Sequence, residues 1–554
     1  MSPIVVDALV VGAGFGGIYQ LYSLLKLGLV TKAIEKAEGA GGVWFWNKYP
    51  GVMSDTESYL YRYSWDKEDL QTYPWPNNYL TRDEILKYLN HIIDKHRLRE
   101  HLHFSSELLS AKWDESINKW HVQTSTGDTF IATYLFTALG IHNKLNIPDF
   151  PGLDLFRGPV MHSASWNSNV DITNKRVGVI GCGSSGIQIS NAIAPKVTEL
   201  HCFIRHPQFS VPLRLQPISA GERSGINHRY DDIWAAQALT REGHGYDEPE
   251  TSAMSVAPEE RQRVFERLWK VGNGFRFLHE GFGDLTSNPE ANEEACKFLR
   301  SKIISIVKDP AKAAVLTPRD LFARRPPCDQ GYYEKFNHAN VFAIDLQTTP
   351  ILKIEGKGIR TSDGKLHELD VIVLATGFHS GDGSYKSIPG HITGRGGISL
   401  SEHWRAEIRT YLGMFVSSFP NLFMVNGPQG SFSHAPRTIE SEVDFLTTMI
   451  SELQKTGSVG TVECTADAEA EWVLTCDDLA ASRTLVNNVS SWLTGLNVDG
   501  AKPSTLFYYA GLKEYRRVLE NVKDKGYHGL SVSTAECVPR RDLTQRSFLF
   551  SVWS

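Results

Sequence analysis

The chain has 554 residues, enough for about two to four domains with sizeable buried cores. Its 57 basic and 63 acidic residues leave a net charge of -6, and 41% hydrophobic with 22% charged residues is the make-up of a soluble globular protein. That balance carries no electrostatic footprint for nucleic acid or an anionic membrane, so neither is expected as a partner.

Seven cysteines are scattered without a CxxC pair, which argues against zinc sites, redox disulfides and a secreted disulfide framework. No metal is expected; a reducing, cytoplasmic location is. The start, Met1-Ser-Pro-Ile-Val-Val, lacks a basic segment ahead of an apolar core, so no signal peptide is expected. Apolar runs such as 371–375 fall far short of the ~20 residues that span a bilayer.

Ile4 to Val11 is a β-branched run that predicts a buried strand. It enters the glycine cluster Gly12-Ala13-Gly14-Phe15-Gly16-Gly17, after which Ile18 to Leu27 has helical spacing. A second strand, Thr31 to Ile34, ends at Glu35, about 20 residues beyond the glycines, where a carboxylate accepts bonds from a ribose diol. Gly41-Gly42-Val43-Trp44 through Tyr49-Pro50-Gly51 to Asp55 crowds glycines, aromatics and a proline, which fits irregular backbone lying close to a flat ring. Tyr59, Tyr61, Tyr63, Trp65, Tyr73 and Trp75 extend the aromatic bias.

Thr81-Arg-Asp-Glu84 is a capping-box pattern that opens a helix through Ile85, Leu89, Ile92 and Ile93. Trp113 to Ile131 alternates like an antiparallel sheet, with turns at Asn118 and Gly127-Asp128. Leu135 to Gly140 reads as a closing strand leading toward Pro148.

A second strand–glycine–helix pattern follows: Arg176 to Ile180, then Gly181-Cys-Gly183-Ser184-Ser185-Gly186, then a helix with Ile187 and Gln188. Such a turn suits a dinucleotide pyrophosphate at a helix N-terminus. One match is weak evidence, and the pair is stronger. The next strand, Thr198 to Ile204, ends in Arg205-His206. A cation there suits a 2′-phosphate, whereas Glu35 suits a free diol, so FAD is expected at the first site and NADP at the second.

Composition then shifts. Ala295, Phe298, Leu299, Ile303, Ile306 and Val307 have amphipathic helical spacing, and Pro258 can open a helix that puts Val264 and Leu268 on one face. Arg324-Arg325-Pro326-Pro327 places two arginines on a restricted loop. Short strands at 341–344, 351–354, 358–360 and 370–375 end at Gly377, where the chain can cross between domains. The segments 409–414 and 419–428 return to strand and loop, and a charged helix runs from Ile439 toward Leu453. The expected architecture is α/β, with two Rossmann-like dinucleotide-binding domains and a helical insertion. FAD-binding residues are 1–145 and 376–554, NADP-binding residues 146–210 and 325–375, and the insertion 211–324.

Taken together these residues resemble the flavin-dependent Baeyer–Villiger monooxygenases that use FAD and NADPH. The family string Phe-x-Gly-x-x-x-His-x-x-x-Trp is met by Phe156, Gly158, His162 and Trp166. A second, Gly-Gly-x-Trp-x-x-x-x-(Phe/Tyr)-Pro-Gly-x-x-x-Asp, is met by Gly41, Gly42, Trp44, Tyr49, Pro50, Gly51 and Asp55. Further similarity lies at Asp370 before Ala375-Thr-Gly377 and at 507–511, and cyclohexanone-type members are most similar, at Arg324-Arg325-Pro326 and Gly331-Tyr-Tyr. Asn167, His206 and Thr137-Ala-Leu-Gly140 depart from the usual pattern.

The resemblance implies insertion of one oxygen atom of O2 into a small-molecule ketone, giving an ester or lactone by way of an FAD peroxyanion after reduction by NADPH. Arg325 and Asp55 are the implied catalytic residues. A guanidinium stays charged at any working pH, so Arg325 would keep the peroxide anionic and stabilise the oxyanion that forms on the ketone, with Asp55 orienting it. FAD contacts are expected from Gly12, Gly14, Phe15, Gly17, Glu35, Gly42, Val43, Trp44, Asp55 and Tyr61. NADP contacts are expected from Gly181, Gly183, Ser184, Ser185, Gly186, Gln188, Arg205, His206, Arg324, Arg325 and Trp492.

His162 is expected to be a hinge or scaffold residue, and the two nucleotide domains to move relative to each other. A monomer is favoured. The rival enzymatic reading is a flavin N- or S-monooxygenase, and the non-enzymatic one a nucleotide-dependent redox sensor; the missing CxxC disfavours a disulfide reductase.

Overall fold

The computed structural model describes residues 2–455, 460–487, 489, 491–498, 500 and 504–533. Met1, Lys502, Pro503 and Cys537 lie outside the described residues.

Ile4–Val11 is an interior strand of the first sheet. Ala8 and Val10 pack into one hydrophobic core and Leu9 and Val11 into another, so both faces are covered, which is why the run is almost continuously apolar. It pairs in parallel with Thr31–Ile34 and with Thr129–Thr137. Beyond these the sheet continues antiparallel through Lys119–Thr124 to Leu108–Asp114. Late segments complete it: Ile392–Thr393 joins Leu108–Asp114, and Leu422–Met424 joins Thr129–Thr137. Here the structure corrects the sequence reading, because the hairpin ending at Ile131 and the strand beginning at Leu135 are one strand. No Gly or Pro interrupts 129–137, so the same segment closes the hairpin and runs beside Ile4–Val11.

The second sheet is wholly parallel, in the order Val160–His162, Val371–Leu374, Arg176–Ile180, Glu199–Ile204, Val341–Asp345. Between its third and fourth strands along the chain, Glu199–Ile204 and Val341–Asp345, come the helices Pro258–Val271, Pro289–Ile306 and Pro310–Leu316, with shorter ones. Their apolar faces, with Phe265, Leu268, Phe298 and Leu299, share one core with Val177, Val179 and Ile187 of the second sheet and its first helix. Each of these three helices has a proline in its first turn, where a missing N–H costs nothing. Val307, the last residue of the apolar spacing, caps the Pro289–Ile306 helix rather than belonging to it. Thr81 and Glu84 form both bonds of the expected capping box on Arg82–Lys95.

Two connectors join the sheets, and they are zipped together. Lys144–Leu145 pairs antiparallel with Phe378–His379, and Thr376 Oγ1 donates to the Asn146 carbonyl at 2.6 Å. His162 is tied to the same place. Its Nε2 lies 3.1 Å from the Gly377 carbonyl and its Nδ1 accepts from the Ala164 N–H at 3.1 Å, so both ring nitrogens are used by backbone.

The two glycine turns are near copies. Gly12 has φ +106° and Gly181 φ +108°, and a Cβ there would lie 2.5 Å from the Ala138 oxygen or 2.4 Å from the Ala375 oxygen. A Cβ on Gly17 would lie 1.8 Å from the Gly12 oxygen, and one on Gly186 2.1 Å from the Gly181 oxygen. Each helix can therefore seat its N-terminus on its strand only without a side chain. Gly186→Ala should push the Ser184–Ile193 helix off its turn, weakening NADPH binding while flavin content is retained. Titration with NADPH and the flavin absorbance of the purified variant check this.

Candidate active site

Both glycine turns open on one cavity of about 1010 Å³. It lies off the C-terminal ends of the parallel strands, where open α/β sheets take ligands. On one side the wall is made by Gly12, Gly14, Phe15, Glu35, Gly42, Val43, Trp44, Asp55 and Tyr61. Glu35 accepts the N–H groups of Ala13 at 2.8 Å and Ala37 at 2.9 Å, which fixes its carboxylate and leaves further lone pairs for a ligand. Gly42, at φ +56°, meets the Gly14 backbone, and a Cβ there would come within 3.0 Å of the Gly14 Cα. Trp44 Nε1 donates to the Tyr61 hydroxyl at 3.1 Å, and burial pushes that phenol up to about 12, so it keeps its proton.

The opposite side carries Gly181, Gly183, Ser184, Ser185, Gln188, Arg205, His206 and Arg324. Gly183 faces open space. Arg324 is held by Asp320 at 2.7 Å. Burial, then the Arg324 and Arg205 charges, hold His206 below the usual imidazole range, so the positive charge here belongs to the two guanidinium groups. Gly17 and Gly186 are the two expected cofactor residues that the structure does not place on the cavity wall. They lie beneath it, where the close carbonyls of Gly12 and Gly181 leave no space for a side chain.

Arg325 joins three parts of the chain. Its Nη2 lies 2.8 Å from Asp55 Oδ1 and 2.7 Å from Oδ2, its Nη1 is 3.4 Å from Ser184 Oγ, and its guanidinium sits 4.9 Å from the centroid of the Phe275 ring. The aromatic loop of the first sheet docks alongside. Tyr49 Oη donates to Gln188 Oε1 at 2.9 Å and accepts from Ser185 Oγ at 3.3 Å. Trp492 is on the wall, edge-on to His142 at 4.7 Å between ring centroids and 5.8 Å from Phe432. His162 is not on it.

Among the polar wall residues that sequence reasoning missed are His142, Glu242, His244, His279, His434 and Arg483. Apart from Glu242 and His244 they stand in separate segments with no shared motif or spacing, so no local signal could have grouped them. Burial depresses all four imidazoles; His142 falls to about 4, His279 and His434 to about 3. Positive neighbours add to this, among them Arg325 at His142 and Arg437 at His434. Among the described residues no group of His, Cys, Asp and Glu could hold a metal ion, and no helix is long and apolar enough to cross a membrane.

A family model described as flavin-binding monooxygenase-like matches residues 7–205. The chain is 43% identical to a phenazine N-monooxygenase of Lysobacter antibioticus, over 94% of this chain and 96% of the relative. It is 41% identical to a Baeyer–Villiger monooxygenase of Pseudooceanicola batsensis, over 95% and 96%. The solved cyclohexanone monooxygenase of Rhodococcus sp. Phi1 bound to NADP+ superposes with a TM-score of 0.94 at 44% identity, covering 96% of this chain and 100% of that one. The chain belongs to the flavin-dependent Baeyer–Villiger monooxygenase family. The cofactors of such an enzyme, FAD and NADPH, fit the two glycine cradles, where Gly12 and Gly181 take the left-handed conformation of the turn and Gly183 faces open space.

The depressed histidines make acid stability a property of this cavity. An unfolded imidazole binds a proton below about 6.5, whereas these folded ones resist until about 4 or 3. Between those limits the unfolded chain holds more protons, so stability falls as pH drops from about 6.5 toward about 3. His434→Gln should flatten the decline in Tm across that window; an unchanged slope would assign it to other groups.

Proposed function

We propose that the protein uses NADPH and O2 to insert one oxygen atom into a ketone, giving an ester or lactone, with Arg325 as the working cation and Asp55 as its positioning carboxylate. The second oxygen atom leaves as water, with the electrons coming from NADPH. Bound FAD, once reduced, supplies the activation of oxygen. The observation that carries the reading is the Arg325–Asp55 pair, with both carboxylate oxygens within 2.8 Å of one guanidinium nitrogen, on the wall shared by the two cradles.

A fixed, permanently charged donor in a cavity lined by Phe275, Phe432, Phe507 and Trp492 can hold negative charge where it develops, on oxygen attacking a carbonyl and on the carbonyl oxygen itself. The aromatic walls limit water there and so strengthen that interaction. The negative charge of Asp55 partly balances the positive charge of Arg325 and holds its planar group in one orientation. Arg205 and Arg324 would take the 2′-phosphate of NADPH, and the N–H groups of the 181–186 turn, with Ser184 and Ser185, its pyrophosphate. Glu35 would take the ribose diol of FAD.

The sheet membership described above supports a division into FAD-binding residues 1–145 and 376–554, NADP-binding residues 146–210 and 325–375, and an insertion at 211–324. The described cysteines are all buried free thiols, which supports a reducing, cytoplasmic setting, and a monomer holds every residue this scheme uses.

Arg325→Ala should keep FAD and still oxidise NADPH, with ester or lactone formation down by about two to three orders of magnitude. Gas chromatography of the product beside NADPH consumption tests this, and substantial ester from the variant would refute the role. For Arg205→Ala the KM for NADPH should rise far more than that for NADH. Equal rises would remove the 2′-phosphate assignment.

A second reading, oxygenation of a ring nitrogen, is favoured by the 43% identity to the phenazine N-monooxygenase. Offering ketones and phenazines to the same preparation with labelled O2 separates the two by the product that carries the label.

A further inference from the structure

Part of the cavity wall receives nothing from either glycine turn. Arg483, Glu242, His279 and Tyr509 line it, with Arg241 directly behind. The Arg483 guanidinium lies 5.0 Å from the centroid of the Tyr509 ring and hydrogen-bonds to none of the described residues. Burial lowers its proton affinity, Glu242 opposing and Arg241 reinforcing the effect. Glu242, only 6% exposed, is already shared with Arg241 through a 3.6 Å ion pair. His279, beside Arg241 and Arg483, is depressed to about 3 and is neutral at any working pH.

Glu242 is thus taken up by Arg241, and Glu248 accepts the Arg241 backbone N–H at 2.8 Å, so neither carboxylate is hydrogen-bonded to the Arg483 guanidinium on its largely aromatic wall. A desolvated cation without a hydrogen-bonded partner is unfavourable, and a planar guanidinium offers parallel donors matched to a carboxylate. The phosphates of the cofactors do not need it, since Arg205, Arg324 and the turn amides lie elsewhere.

Other unpartnered polar groups point to the same use. His434 is 2% exposed, and neither of its ring nitrogens has a partner among the described residues. Between Arg325 and this wall stand Phe275, 4.9 Å from Arg325, and His244, stacked 5.2 Å from Phe275 and electrostatically coupled to His279. A molecule placing its carbonyl at Arg325 would therefore extend along these rings toward Arg483.

We infer that the substrate is a ketone bearing a carboxylate, which docks on Arg483 with His279 at its side. This rests on the ketone oxygenation proposed above. The test uses the holoenzyme with 4-oxocyclohexane-1-carboxylate, its methyl ester as a neutral analogue, and cyclohexanone. The acid should exceed the ester in kcat/KM by about tenfold or more, the value of a charge-assisted hydrogen bond. Arg483→Gln should bring that ratio near one, and Arg483→Lys should restore part of it. Direct binding of the acid, followed through the flavin absorbance, should weaken by a similar factor in Arg483→Gln alone.

If cyclohexanone and the ester are oxygenated while the acid is neither preferred nor bound through Arg483, this inference is overturned and the ketone reaction stands. If none of the three yields an oxygenated product although the acid binds in an Arg483-dependent way, the docking site stands and the ketone reaction falls.

Discussion

The ion pair that joins the Arg325 guanidinium to Asp55, on which the proposed reaction rests, depends on much of the fold. Asp55 belongs to a short strand near the aromatic loop of the first sheet, while Arg325 follows the insertion and leads back into the second sheet. For the two to meet, the loop must dock on the Ser184–Ile193 helix, which it does through Tyr49 on Gln188 and Ser185. Gly51, at φ +84°, lets this approach happen, because a Cβ there would lie 2.7 Å from the Gln188 carbonyl. The charge of Arg325 is thus placed by contacts made largely by neutral groups.

The same economy governs the two nucleotide cradles. Each has a strand, a left-handed glycine, and a second glycine at the helix start that lies under a carbonyl. Absence of side chains leaves helix N–H groups directed at the cavity, and the backbone supplies the anion site without spending a charge. Positive charge on the wall then stands at Arg205 and Arg324, where the proposed contact with the 2′-phosphate would be made, and at Arg325 on the wall shared by the cradles. The connectors that carry these parts are bonded to each other and to His162, so the string containing Phe156, Gly158, His162 and Trp166 reads as structural support for the crossing, not as chemistry.

Electrostatics in the rest of the cavity follow from dryness. In water an imidazole takes up a proton below about 6.5, whereas burial and nearby positive groups keep these four neutral well below that. They supply ring nitrogens and flat surface without adding charge, which keeps the cationic field concentrated on guanidinium groups. In the proposed reaction Arg325 would then face oxygen without competition from neighbouring imidazolium.

Local residues determined a great deal here. The glycine spacings, the acid at the end of one strand and the cation at the end of the other, the capping box at Thr81 and the prolines opening helices each act within a few residues, so their consequences are written where they stand. Helical spacing at 295–306 likewise foretold a buried face. The tertiary structure decided what lies far apart in the chain: that 129–137 is one strand serving two partners, that Gly17 and Gly186 sit beneath the cavity, and that His142, Glu242, His244, His279, His434 and Arg483 share a wall. Those residues have no common period or motif. Only packing of the insertion and the C-terminal segments against the two sheets brings them together, because the free energy that assembles them is burial of apolar surface elsewhere, which leaves no mark on the polar residues it gathers.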